Sequence, residues 1–255
     1  MTNEETLKEY EELLTKRDQY IKDAGSYQTA YIAEFGELID TNFELKVECI
    51  KVKKTISYCR RRMNRGLTVD VARMQSEIAQ EMTLYYAQLK EMQSETEAAK
   101  AAPLLSEYQV SRSKKIYRRL AKKLHPDINK KTAITPSLQD LWNRIVIAYH
   151  KSDPEALAEL EVLARAELEK LGDDGWEIAF DDIEERIERV EREINEILTT
   201  EPYTYRALLE DEEQKKAHRA ELEEEHEDLT RYLAELRKTL EAMLAEGGAK
   251  LVMSV

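Results

Sequence analysis

Two cysteines, a few histidines and one tripeptide are the residues of this 255-residue chain that invite a chemical reading. Cys49 and Cys59 sit ten residues apart on what reads as a single helix. A rise of ~1.5 Å per residue separates them by ~15 Å, too far for a disulfide. They read as reduced core thiols, the usage of a cytoplasmic protein. His226 falls on an apolar helical seam and His218 eight residues before it, and neither has a second ligand one turn away, so no metal pair is expected. No glycine loop for phosphate and no nucleophile with an adjacent base is found, so the expectation is a protein without catalytic residues, metal or cofactor, and not an enzyme. The tripeptide is His125-Pro126-Asp127. Proline lacks an amide hydrogen and pushes the preceding residue out of helical geometry. His125 and Asp127 are therefore expected on a tight loop where a helix stops.

The helix that stops there is short and two-faced. Tyr117, Leu120, Ala121 and Leu124 form its apolar stripe, and Arg118, Arg119, Lys122 and Lys123 fill the other face. From Ser111 to Leu124 there are seven bases and no acid. After a polar loop over Ile128 to Thr135, the pair Thr135-Pro136 marks a helix start, cap residue then proline at the first helical position. That helix carries Leu138, Leu141, Trp142, Ile145, Ala148 and Tyr149 inward. Asp153-Pro154 repeats the signal for another, with Leu157, Leu160 and Leu163 inward.

Long helices flank this region. From Leu7 to Met63 apolar residues recur in steps of three and four, missing only at Arg17, Gln28 and Asn42, which lie on the seam. Asn42 and Gln28 read either as register devices or as partly exposed seam residues. Gly66 offers a C-cap and Thr68 an N-cap for a second helix that folds back on the first, with Val71, Met74, Ile78, Met82, Tyr85, Leu89 and Met92 on one side. At ~1.5 Å per residue the first helix spans ~90 Å and the second ~45 Å. Half of the first seam therefore needs another cover, either the chain's C-terminal hairpin or a second copy in a homodimer. Arg60, Arg61, Arg62 and Arg65 read as a solvated helix end near its negative dipole terminus. After a break at Gly172 to Gly175, a stripe runs from Trp176 through Phe180 and Ile183 to Ile197. Pro202 turns the chain, and Leu222 to Met243 repeat the rhythm. The expected fold is all-α: long antiparallel coiled-coil hairpins at 1–102 and 173–255 flanking a small helical domain at 103–172.

Charge narrows the function classes. The net charge is −13, and Asp181 to Glu246 alone holds 22 acids against 10 bases. Such an acidic chain disfavours general nucleic-acid binding, although the basic helix keeps a local version open. No run of about 18 apolar residues exists, so no membrane span or leader is expected.

The surroundings of the tripeptide carry a resemblance. Ile116-Tyr117-Arg118-Arg119-Leu120-Ala121-Lys122-Lys123-Leu124 is similar to the helix that reads roughly Ala-Tyr-Arg-Lys-Leu-Ala-x-Lys-Tyr before the His-Pro-Asp turn of the J domain, the module of DnaJ-type co-chaperones. Asn129 matches the asparagine two residues after the turn. Trp142, Ile145, Ala148-Tyr149 and Asp153-Pro154 match the helix that follows. The similar stretch covers Ser111 to Leu163, a fifth of the chain. The family's first helix, with its Tyr-Leu-Gly run, is not recognisable, and Glu107-Tyr108-Gln109-Val110 is at most a remnant. Either the long preceding helix supplies that packing or the domain is trimmed.

The resemblance implies a co-chaperone that docks on a DnaK-type ATPase chaperone and triggers ATP hydrolysis, with the coiled coils selecting an unknown client or placing the protein. It implies partner-binding roles for His125, Pro126, Asp127, Arg118, Arg119, Lys122, Lys123 and Asn129. The cations would steer the encounter, Asp127 would accept from a partner arginine, Pro126 would keep the loop stiff, and His125 would be a contact and loop former. Two rivals stand beside it: a coiled-coil scaffold with a silent J-like domain, and a nucleic-acid binder using the basic helix. Burial of the turn against the molecule's own helices, together with its cations locked into internal ion pairs, would overturn the co-chaperone reading.

Overall fold

The computed structural model describes residues 3–102, 105–171 and 183–246. Among these every regular element is a helix. They are α1 (Asn3–Met63), α2 (Val71–Lys100), α3 (Glu107–Leu124), α4 (Lys130–Ile134), α5 (Pro136–His150), α6 (Pro154–Lys170), α7 (Ile183–Thr199), α8 (Tyr205–Glu210) and α9 (Glu212–Glu246). None of the described helices is long and apolar enough to cross a membrane. Pro103, the break at Gly172 to Gly175, and Trp176 and Phe180 lie outside the described residues.

The chain divides into two compact units, one built from 1–26 with 103–204, the other from 27–102 with 205–255. This differs from the threefold division expected at 102 and 172. The reason lies in α1: its first seven turns pack with the small helices, and only its later part belongs to the long-helix bundle. A repeat with one phase over sixty residues marks an apolar face without marking where its partner changes.

In the second unit α2 runs antiparallel to α1, as the contacts Cys59–Met74, Lys54–Glu81, Glu48–Tyr86 and Glu37–Lys100 show. Gly66, at φ +64, makes the turn, and Asp70, not Thr68, caps α2 by accepting from the Arg73 amide. Arg62 donates to the Thr68 carbonyl across this turn. Gly36 lets the end of α2 approach: a Cβ there would sit 2.6 Å from Thr96 Oγ1.

The other side of this part of α1 is covered by α9, which runs parallel to it: Glu34–Arg219, Lys46–Glu225 and Cys49–Leu229 advance together. So the chain itself supplies the missing cover. α7 and α9 fall in different units. α7 runs parallel to the first part of α1, with Tyr10 beside Ile183 and Arg17 on Glu193, and α9 pairs with the later part. Each acidic helix finds its apolar partner in the α1 segment of its own unit. Asn42 is buried, donating to the Leu222 carbonyl at 2.8 Å while its Oδ1 meets His226 Nδ1 at 2.9 Å, whereas Gln28 is exposed. Cys49 and Cys59 are buried free thiols.

The first unit holds the candidate site. α3 and α5 lie antiparallel, with α6 packed on both, around fully buried Tyr117, Leu124, Leu138, Ile145, Tyr149 and Leu157. The stripes of α3 and α5 are those the sequence displays; on α6 Leu157 and Leu160 are buried as expected, but Leu163 is 45% exposed and Ala164 takes the inward position. Burying six such side chains stabilises the unit by roughly 1.5–3 kcal/mol each before chain entropy is subtracted. The Tyr117 and Tyr149 rings stack 3.9 Å apart at 7°. A second cluster joins Tyr10 and Leu14 of α1 to Ile183 and Val190 of α7, with Ile128 from the loop between α3 and α4 inserted among them.

Candidate functional site

The site begins at Ser106, which starts α3 with a reciprocal capping box: its hydroxyl accepts from the Gln109 amide, and the Gln109 side chain accepts from the Ser106 amide. α3 thus starts well before Ile116. Its apolar stripe is drawn into the core, leaving Arg118, Arg119, Lys122 and Lys123 outside. The helix stops at His125, whose amide donates to the Ala121 carbonyl at 2.9 Å. Pro126 has no amide to continue the ladder. The chain turns about the His125 carbonyl, which accepts from the amides of Ile128 (2.9 Å) and Asn129 (2.7 Å). Asn129 then holds the turn shut. Its carboxamide oxygen caps the one-turn helix α4, at Lys131 and Thr132, while its Nδ2 donates to the Lys123 carbonyl at 2.7 Å. The polar loop expected over Ile128 to Thr135 contains this short helix because Asn129 supplies a cap.

His125 faces inward. Only 4% of it is exposed, and its ring meets Trp142 edge-on at 5.0 Å. This differs from the displayed loop the sequence suggests. Nδ1 accepts from the Asp127 amide at 3.1 Å, which assigns the proton of the neutral ring to Nε2. Nε2 lies 3.6 Å from Asp18 Oδ2 and 3.4 Å from Arg17 Nη2, both on α1. Burial holds the imidazole pKa below its ordinary value, against the pull of the Asp18 and Asp127 carboxylates. The ring is a neutral structural element at pH 7.

Asp127 is different. Its side chain is 43% exposed, and Oδ2 lies 3.7 Å from Arg17 Nη1. The same Arg17 nitrogen donates to Glu193 Oε2 of α7 at 3.0 Å. Burial of Arg17 opposes its charge, but Asp18, Glu193 and Asp127 outweigh that and hold its pKa above the ordinary value.

The α1 segment makes three more contacts with the two stacked tyrosines. Tyr117 donates to Asp18 Oδ2 at 2.6 Å, Tyr149 donates to Gln19 Oε1 at 2.6 Å, and Lys22 Nζ lies 4.1 Å over the Tyr149 ring. Burial pushes both phenol pKa values up, helped by Asp18 at Tyr117 and by Asp23 and Asp18 at Tyr149. The long first helix thus packs where the sequence shows no separate short helix.

The four cations divide into two pairs. Arg119 grips Glu161 of α6 with two bonds, at 2.9 and 2.8 Å, and Lys122 reaches Glu11 at 3.8 Å. Arg118 and Lys123 are exposed and make no ion pair among the described residues. The structure therefore brings His125, Pro126, Asp127 and Asn129 into one turn beside a half-committed basic face. Arg17, Asp18, Gln19, Lys22 and Glu193 belong to this site and are absent from the sequence-derived set. The one signal was Arg17, a charge standing where the apolar seam skips a step.

A chemically defined arrangement results. It consists of a stiff turn with one solvent-reached carboxylate, two cations without an ion pair among the described residues on the last two helical turns behind it, and a histidine used as a wedge. Such a surface offers groups suited to charge-assisted contacts. Compared with protein-family models, with curated proteins and with solved structures, the chain matches none.

Proposed function

We propose that this protein is a J-domain-type co-chaperone. Its α3–turn–α5 unit docks on a DnaK-type ATPase chaperone and stimulates ATP hydrolysis, and its long helices engage a client or place the protein. On this reading it acts in the cytoplasm as a regulator of another protein's catalysis and is not itself an enzyme. One observation carries the reading: the basic helix ends in a rigid turn that keeps the Asp127 carboxylate 43% exposed, with Arg118 and Lys123 unpaired on the helix behind it. A carboxylate so placed accepts short, strong bonds from an incoming guanidinium. The free cations raise the encounter rate with an acidic surface, an effect that salt suppresses. The turn is already ordered by Asn129 and the His125 carbonyl, so docking costs little conformational entropy.

The test is single-turnover ATP hydrolysis by a DnaK-type chaperone with saturating intact protein. Stimulation should vanish in Asp127→Asn and weaken in the double variant Arg118→Glu, Lys123→Glu. High salt should weaken it too.

A second reading, a scaffold with a silent J-like unit, draws support from specific contacts. His125 is buried under α1, and Arg119 and Lys122 are engaged inside the protein. No stimulation at any concentration of the intact protein would select it. The nucleic-acid reading gains nothing from these contacts, because the basic helix lies close to Glu11 and Glu161.

A further inference from the structure

We propose that Arg17 is a built-in occupant of the Asp127 carboxylate, so that the first segment of α1 is an autoinhibitory contact which a partner's cation must displace. The inference rests on the co-chaperone reading and concerns how the same turn is regulated.

The contacts have the form of a competition. Arg17 Nη1 is the one arginine or lysine nitrogen within ion-pair distance of Asp127 among the described residues. The other basic atom near Asp127, His125 Nδ1 at 3.8 Å, already accepts a hydrogen bond from the Asp127 amide. Arg17 approaches from the interior side, its side chain only 18% exposed, while Asp127 stays open to solvent. It engages one carboxylate oxygen, and from 3.7 Å, so the carboxylate is partly neutralised without being closed.

Arg17 is also held elsewhere. Its stronger bond, at 3.0 Å, goes to Glu193 on α7, and Asp18 lies 3.3 Å from Nη2. A guanidinium shared among three carboxylates can move from one to another by side-chain rotation. α1 need not leave the unit, and Ile128 can stay buried between α1 and α7. An arginine from a partner would take Asp127 while Arg17 falls back on Glu193. Glu193 therefore helps to release the site, and Arg17 helps to close it.

Opposite signs for two neighbouring residues follow, which a merely structural role would not give. The assay is chaperone ATP hydrolysis at subsaturating intact protein, with thermal unfolding as the check on folding. Arg17→Gln should stimulate several-fold more than wild type. Glu193→Gln leaves Arg17 with Asp127 and should stimulate several-fold less. Asp127→Asn added to either variant should abolish the effect.

If wild type stimulates and Arg17→Gln does no better, the autoinhibitory contact is overturned while the co-chaperone reading stands. If neither protein stimulates, the co-chaperone reading falls and this inference falls with it. Should Arg17→Gln fail to fold, Glu193→Gln decides alone, since its half-exposed side chain is dispensable to the core: stimulation at or above the wild-type level overturns the proposal.

Discussion

Replacing Lys22 with methionine should make the first unit more stable. Lys22 is 5% exposed, and its ammonium nitrogen is buried without a hydrogen-bond partner. Burial brings its pKa from 10.5 down to about 8, with Asp23 pulling up and Lys114 pushing down. An amine so displaced costs about 3 kcal/mol on folding at pH 7. The Tyr149 ring at 4.1 Å returns about 1–2 kcal/mol as a cation–π contact. Methionine keeps the apolar stem and its packing, so Lys22→Met should gain about 1–2 kcal/mol at neutral pH. The pH dependence follows from the direction of the shift. The folded state binds fewer protons here than the unfolded chain, so wild-type stability rises with pH from about 8 toward 10.5. The advantage of methionine should shrink over that window. Urea unfolding, followed by near-ultraviolet circular dichroism of the Tyr117, Tyr149 and Trp142 cluster at pH 7 and pH 10, measures both. A variant no more stable than wild type at pH 7, or a gain that does not change with pH, would refute the reasoning.

Three further outcomes are expected. Asn42→Ala removes a buried cross-helix bond to the Leu222 carbonyl and the contact with His226 Nδ1; it should destabilise the second unit by about 1–2 kcal/mol in urea unfolding, and an unchanged midpoint would contradict the geometry. His125 is held neutral by burial, so its contribution is complete above its unfolded pKa of ~6.5 and is lost as the pH falls through its lower folded value. Amide exchange at Ile128 and Asn129, corrected for intrinsic rate, should therefore lose protection between pH 7 and pH 5, and should lose this pH dependence in His125→Gln. Ser152 stands at φ 52 with a buried hydroxyl that has no partner; Ser152→Gly relieves a left-handed conformation costing about 1–2 kcal/mol and should raise the thermal midpoint of the first unit.

Much of this protein is set by its sequence alone. The helix starts at Pro136 and Pro154, the stop at Pro126 and the apolar stripes of α3 and α5 act within a turn or two, so the local sequence specifies them, although Thr135 makes no side-chain capping bond while Asp153 does. The all-α fold and the α1–α2 hairpin follow for the same reason, through apolar periodicity and a short glycine turn. Tertiary structure decided what a periodic face cannot state, which is the partner that covers it and the direction that partner runs. The seam of α1 fits α7 and α9 in parallel as readily as any other apolar stripe, and a seven-residue repeat does not distinguish them. It decided the state of the turn as well. Proline dictates that the backbone bends at His125, but whether the imidazole meets water depends on Arg17 and Asp18, with Arg17 108 positions away in the chain. Helix ends are local, whereas burial and charge pairing belong to whatever arrives across the core.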